Sequence, residues 1–326
     1  MKPRRGSFVV ALVSGLLLLG GLPGQTQAAA FPDKPVRLIV PFPPGGSNDV
    51  LGRYIGIKLI DRLGQQVVID NRAGANGIIG ADLAAQSTPD GYTLLMVSTS
   101  WVMNAAVRRL PYDVEKSFDP IATVGSFPNS IVVYPGWGVN SVKELVARAR
   151  AKPASIFYAA TGIGGFNHFG GELFNKIAKV DLVMVPYKGG GPAMTDVMAG
   201  QIPMMFSSLT QVLPHVRNNR LKVIAIGASQ RSSVVPEIPT VAESGFPGYE
   251  MYGWWGFAAP HGVPRPVLDR LRNEINAVLQ EPETKKRLLA DAAEPLTMTP
   301  AEMRKMIHSD VKKWRDVAVT AGIQVK

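Results

Sequence analysis

The sequence contains no cysteine. That excludes disulfides, thiol nucleophiles, cysteine-ligated zinc or iron-sulfur centres, and a lipid anchor on an N-terminal cysteine. It also lacks G-x-S-x-G, H-E-x-x-H and the Walker G-K-[ST], so the common hydrolase, zincin and NTPase signatures are missing. Histidines are few and scattered: His168, His215, His261 and His308. His168 with Glu172 has helical spacing but is too sparse for a metal site, and His168 reads as a helix-start or packing residue. The dinucleotide fingerprint is incomplete, because Asn167 stands where a third glycine would follow Gly162 and Gly164. No cofactor, metal or catalytic residue is expected. Low-complexity linkers are absent, and no apolar stretch beyond the N-terminus is long enough for a membrane span.

The N-terminus carries a targeting pattern. MKPRR is a positive start, FVVALVSGLLLLGGL an apolar stretch, and QTQAAA ends in the small residues Ala28 to Ala30. This predicts a signal peptide over residues 1–30, cleaved within 28–31, and hence a periplasmic protein; the apolar stretch is short for a membrane anchor. The 326 residues are 46% hydrophobic and 18% charged, with 33 Gly and 26 Pro, a globular composition with many short loops and room for two domains. The net charge of +10 falls to +7 when the cations Lys2, Arg4 and Arg5 leave. Much of the remaining excess sits in KKR at 285–287 and in RKMIHSDVKKWRD, interleaved with acids on helical segments. That reads as a solvated helix face, with no nucleic-acid partner expected.

From Val36 short apolar runs alternate with helical periods, the pattern of βα units in a mainly parallel sheet. VRLIV, VVIDN and DGYTLLMVS read as strands and NGIIGADLAAQ as a helix. DPIATVGSFPNSIVVYP reads as two β-rich runs, after which SVKELVARARAKP opens a helix with Ser141 as N-cap and Glu144 completing a capping box. The βα rhythm then restarts through SIFYAATGIGG, DLVMVPYKGGG, QIPMMFSS and LKVIAIG, with Pro192 in a first helical turn and Gly200 as a stop. The C-terminal tail is helical, with Thr299, Pro300 and Glu302 marking the last start. Two α/β lobes joined by crossing strands, with a cleft between them, are expected: residues 31–126 plus 228–326 as one lobe and 127–227 as the other.

Three glycine turns lie at expected strand ends: PPGGSND at 43–49, TGIGGFN at 161–167 and KGGGP at 188–192. Ligands of open α/β sheets bind beyond such ends, and a helix N-terminus is an anion cradle. Amides and hydroxyls there can hold a carboxylate without an arginine. Each turn equally fits a glycine chosen for its backbone alone. Asp49, in a first helical turn, reads as a cap. Trp101, Phe166, Trp254 and Trp255 are candidates for a pocket wall or for core packing.

The series PFPPGGSNDVLGRYI, DNRAGANGIIGADLAAQSTPDGYTLLM, LPYD, SVKEL, HFGGELF, VPYKGGGPAMTDVMAGQI, IPTVAESGFPGYE and KWRDVAVTAGI closely resembles the tripartite tricarboxylate transporter solute-binding proteins, also called the Bug family. The resemblance covers essentially the whole chain after residue 30. It implies a two-lobe periplasmic binding protein of type II, a Venus flytrap of two mainly parallel sheets flanked by helices. Such a protein closes as a monomer on a small carboxylate and delivers it to a membrane permease of one large and one small subunit. The resemblance points to Phe42, Pro44, Gly45, Gly46, Ser47 and Asp49 in one lobe and to Thr161, Gly164, Gly165, Phe166 and Asn167 in the other, with Ser98 and Ser207 completing the expected ligand-binding set. Where relatives carry Thr-Ser-Ser, this chain has Gly165, Phe166 and Asn167, and where amino-acid binders place an acid in an MFD segment it has Phe206, Ser207 and Ser208. A carboxylate without an amine, aromatic or dicarboxylic (or tricarboxylic), is the implied ligand. The competing expectations are an exported α/β hydrolase using Asp49 or His168, and a binding protein serving a membrane sensor.

Overall fold

The run VRLIV forms the strand β1 (Val36–Val40), buried at every position but Arg37 because it lies between two parallel neighbours, β2 (Val67–Asn71) and β3 (Thr93–Ser98). A continuous apolar strand of this kind is covered on both faces. One cover is α1 (Ser47–Leu63), in which Leu51, Ile55, Leu59 and Leu63 recur every four residues and are buried. Each such side chain contributes about 2 kcal/mol of burial. The computed structural model describes Met1 and residues 31–323; the signal peptide expected over 1–30 falls outside the described residues apart from Met1.

The chain continues through α2 (Ile78–Ala85), α3 (Thr99–Val107), β4 (Phe118–Val133), α4 (Val142–Ala151), β5 (Ile156–Ala160), α5 (Phe166–Ala178), β6 (Leu182–Pro186) and α6 (Gly190–Met198). It then runs through β7 (Met204–Ser208), α7 (Leu209–Arg217), β8 (Lys222–Ile226), β9 (Tyr252–Pro260), α8 (Arg265–Gln280), α9 (Pro282–Ala290), the short β10 (Glu294–Pro295) and α10 (Pro300–Ala321). From Phe31 onward this is one compact unit. Its sheet follows the order β2-β1-β3-β9-β4-β7-β5-β6, with β8 and β10 also paired to β4. Among the described residues no helix is long and apolar enough to cross a membrane.

β4 organises this sheet. It pairs antiparallel with β9 from Phe118 to Pro128, then with β7 and β8 from Asn129 to Val133. The expected two β-rich runs are therefore one strand of 16 residues whose partners change at Pro128, a residue with no N–H to donate to a ladder. The return crossing is stitched at the same place, where Asn129 N–H donates to Met251 O, Met251 N–H to Gly227 O and Gly227 N–H to Asn129 O, at 2.7 to 2.8 Å. The Tyr249 hydroxyl, fully buried, bridges Asn129 Oδ1 at 2.9 Å and Gly170 O at 3.1 Å beside it. β9 and α3 are elements for which the periodicity raised no expectation.

The caps follow the sequence closely. Thr299 and Glu302 form a full capping box at α10, with Pro300 in its first turn. At α4 the Ser141 hydroxyl accepts from Glu144 N–H, but the Glu144 carboxylate reaches the Asn140 N–H instead of that of Ser141. α10 reaches both halves of the sheet. It packs on α3, and its buried Trp314 meets Phe169 of α5 edge-on at 5.6 Å.

Candidate ligand-binding site

Five strands hand over to helices around one cavity of about 480 Å3, counting its open mouth. The helices are α1, α3, α5, α6 and α7, and each presents its N-terminus or N-cap residue there: Gly46 and Ser47, Ser98 to Ser100, Phe166, Gly190, and Ser208. Unpaired N–H groups and the positive end of the helix dipole therefore converge on one space. Asn48, Thr161, Asn167 and Gln211 add polar side chains, and Phe42, Phe127, Phe166 and Trp255 an apolar wall. Phe127 stacks on Trp255 at 3.8 Å and meets Phe166 edge-on at 5.2 Å. No charged side chain lines the cavity among the described residues.

Two of the entering turns share one construction. Gly45 (φ +86°) precedes the N-cap Gly46 (φ −82°, ψ 164°), and Gly164 (φ +80°) precedes the N-cap Gly165 (φ −87°, ψ 166°). In the first, Gly45 N–H donates to the carboxylate of Asp49 at 3.0 Å; in the second, Gly164 N–H donates to Nδ1 of His168 at 3.1 Å. Asn48 and Asn167 occupy the same place in each, lining the cavity. Burial acts to raise the Asp49 carboxyl, but hydrogen bonds from Arg53, Gly45 and Asn71 outweigh it and hold the group below the usual carboxylate range. For His168 burial, with the Arg108 charge second, pushes the imidazole down to about 4, so the ring is neutral and its Nδ1 accepts.

The two halves of the sheet meet around the cavity. Phe166 N–H donates to the Ser100 hydroxyl at 3.3 Å, and the Arg108 guanidinium donates to Ile163 O. Asn76 and Asn104 are cross-bonded at 2.9 and 3.0 Å, and a Cβ on Gly165 would sit 2.7 Å from Asn76 Oδ1. On the other side a Cβ on Gly189 would sit 2.4 Å from Pro43, and one on Gly191 2.9 Å from Pro44 O. Glycines there let the third turn close onto the first.

Of the expected residues, Phe42, Gly46, Ser47, Ser98, Thr161, Phe166 and Asn167 line the cavity. Pro44, Gly45, Asp49, Gly164, Gly165 and Ser207 do not. Pro44 and Gly45 are exposed at the seam against Gly191. The Asp49 carboxylate is consumed by Gly45, Asn71 and Arg53 at 2.9 to 3.0 Å, as befits a cap. Gly164 and Gly165 shape the second turn from behind, and Ser207 is fully buried with its hydroxyl toward Gln211. Of the four aromatic candidates Phe166 and Trp255 are in the wall. Trp101 faces a separate space with Arg304 and Ile307, and Trp254 donates its indole N–H to Asp310 at 2.8 Å. Thr99, Ser100, Phe127, Ser208 and Gln211 line the cavity without having been expected, and Asn48 and Gly190 line it from two of the three glycine turns though outside the expected ligand-binding set. Asn48 had a signal, since GGSND and GGFNH place Asn identically. Among the described residues no group of three potential metal ligands occurs.

A strand-end cavity of this kind, on a sheet whose two halves share a crossing strand, is the architecture of periplasmic solute-binding proteins. The structure is similar to that of the periplasmic binding protein BugD (TM-score 0.87, 31% identity, 91% of this chain and 100% of that one). It is equally similar to R. palustris Rpa4515 with adipate (TM-score 0.88, 32% identity, 91% and 100%). Protein BugT of Bordetella pertussis is 34% identical over 321 residues, 98% of each chain. Residues 51–323 match the tripartite tricarboxylate transporter family receptor, and the chain belongs to that family.

Proposed function

We propose that the protein captures a small carboxylate in this cavity in the periplasm and presents it to a membrane permease, without chemistry of its own. The observation that carries the reading is the convergence of five helix N-termini on a space lined by no charged side chain among the described residues. Partial positive charge and free amides there favour an anion, and an oxyanion ringed by N–H and O–H donors needs no buried cation. That a structural relative was obtained with adipate supports the same ligand class here. In this reading residues 31–126 with 228–326 form one lobe and 127–227 the other, closing about the Asn129, Gly227 and Met251 crossing. Gly46, Ser47, Thr161 and Asn167 grip the ligand; Gly45, Asp49, Gly164 and Gly165 hold the two turns that carry them. Asp49 and His168, the residues a hydrolase would use, are committed to those turns.

The test is a thermal-shift panel on the protein purified from the periplasm and stripped of ligand. Aliphatic and aromatic carboxylates are compared with amino acids and sugars. A carboxylate at about a thousand times its Kd stabilises by about 4 kcal/mol, a shift of several degrees. A response to sugars alone, or turnover of a responding carboxylate, would overturn the reading.

A further inference from the structure

Gln211 lies in the first turn of α7, and its amide reaches the cavity wall beside Gly190. A Cβ on Gly190 would sit 2.6 Å from Oε1 and 2.7 Å from Nε2, so the glycine is what leaves this amide its place. The two ends of the amide are not equivalent. Oε1 lies 3.5 Å from the hydroxyl of Ser207, which donates to it, while Nε2 is buried and has no hydrogen-bond partner among the described residues. Nδ2 of Asn167, on the same half of the sheet and lining the same cavity, is in the same condition. The Ser208 hydroxyl accepts from Gln211 N–H at 3.4 Å, which fixes its oxygen at the wall and leaves its own O–H as a further donor there. A buried amide N–H group without a partner is unfavourable, so both amides are set to be satisfied by something that enters the cavity.

We propose that Gln211 is the specificity-determining residue of this cavity. Its Nε2 donates to an oxygen on the second functional end of the ligand, and it thereby selects carboxylates with two oxygen-bearing ends over those ending in a methyl or an ammonium. Ser207 acts as a positioning residue, because its hydroxyl holds Oε1 and turns the N–H groups toward the cavity. An ammonium has only donors. Against Gln211 it meets donors and the positive ends of α6 and α7; no carboxylate lines the wall among the described residues, and the unpartnered acceptor Asn48 Oδ1 belongs to the other half of the sheet. The inference rests on the carboxylate reading above and names the part of the ligand that reading leaves open.

Two matched series test it by calorimetry on the purified protein: succinate, butyrate and 4-aminobutyrate, and adipate, hexanoate and 6-aminohexanoate. In at least one series the wild type binds the dicarboxylate tenfold or more tightly than the monocarboxylate, and the amino analogue more weakly still. Gln211→Leu, close in size, weakens the dicarboxylate tenfold or more and changes the monocarboxylate less than threefold. Gln211→Glu weakens the dicarboxylate further and narrows the gap to the amino analogue. Ser207→Ala, which frees Oε1 to turn inward, narrows that gap with smaller loss. Equal loss of mono- and dicarboxylate in Gln211→Leu, or an unchanged preference in all three variants, would overturn the role of Gln211 while leaving carboxylate binding intact. No carboxylate binding by the wild type would overturn both.

Discussion

The turns Gly45–Asp49 and Gly164–His168 have the same backbone path and the same internal hydrogen bond, yet one is locked by a carboxylate and the other by a neutral imidazole. The surroundings differ as much. A Cβ on Gly46 would have Pro43 O at 3.8 Å as its nearest neighbour, whereas one on Gly165 would have Asn76 Oδ1 at 2.7 Å and Thr161 Oγ1 at 2.8 Å. Both turns meet the opposite half of the sheet, the first through Pro43 and Pro44 against Gly189 and Gly191, the second through its N-cap glycine itself, Gly165 against Asn76. The same local solution thus sits in two surroundings: the N-cap glycine of the first turn has room for a side chain, and that of the second has none.

The largest expected effect breaks this difference at its source. Gly165→Ala drives a methyl into Asn76, which Asn104 holds in place, and costs about 1 to 3 kcal/mol with at least a tenfold loss of ligand affinity. Gly46→Ala meets ordinary contacts and costs under about 1 kcal/mol. Urea midpoints and calorimetric Kd values for the pair check it, and equal effects would erase the asymmetry.

Acid sharpens the comparison. His168 has its pKa lowered from 6.5 to about 4, so the unfolded chain takes up a proton that the native state refuses. Stability therefore rises with pH across this window and is lost as pH falls from about 6.5 toward 4, by about 2 kcal/mol between pH 7 and pH 5. Asp49 has its pKa lowered from 3.8, so its contribution persists above that value and is lost only as pH falls through the depressed folded value. Stability measured in urea at pH 7 and pH 5 should show a drop in wild type and in Asp49→Asn that His168→Gln reduces. A drop of the same size in His168→Gln would mean that the imidazole does not lock the second turn.

A smaller effect is expected where Arg108 meets the second turn. Arg108→Ala removes the hydrogen bond to Ile163 O, weakening ligand affinity about fivefold, or about 1 kcal/mol, through easier opening. Dissociation rates read by stopped flow should rise while association stays nearly constant.

Much of this fold is legible because glycine turns follow its apolar strands: VRLIV before Gly45 and Gly46, SIFYAA before Gly164 and Gly165. β9 is not, since GWWGFAAP is buried on both faces and shows neither period 2 nor 3.6. The site divides along the same line. Residues on glycine turns announce themselves, whereas Thr99, Ser100, Ser208 and Gln211 enter from direct strand-to-helix hand-overs with Ser98 and Ser208 at the N-cap positions and no glycine to mark them. Phe127 and Trp255 sit on central strands where an aromatic reads as core, because it serves as core on one side and as wall on the other. Asp49, Gly164 and Gly165 illustrate the converse, residues whose position in a motif points to the ligand while their hydrogen bonds and packing build the turn.

The most direct test of a cavity that holds a carboxylate through helix N-termini and neutral donors, without a cation, is calorimetry of each responding carboxylate against its own amide, which keeps shape and removes charge. The account predicts that the carboxylate binds at least a hundredfold more tightly. Equal binding of the acid and its amide would contradict it.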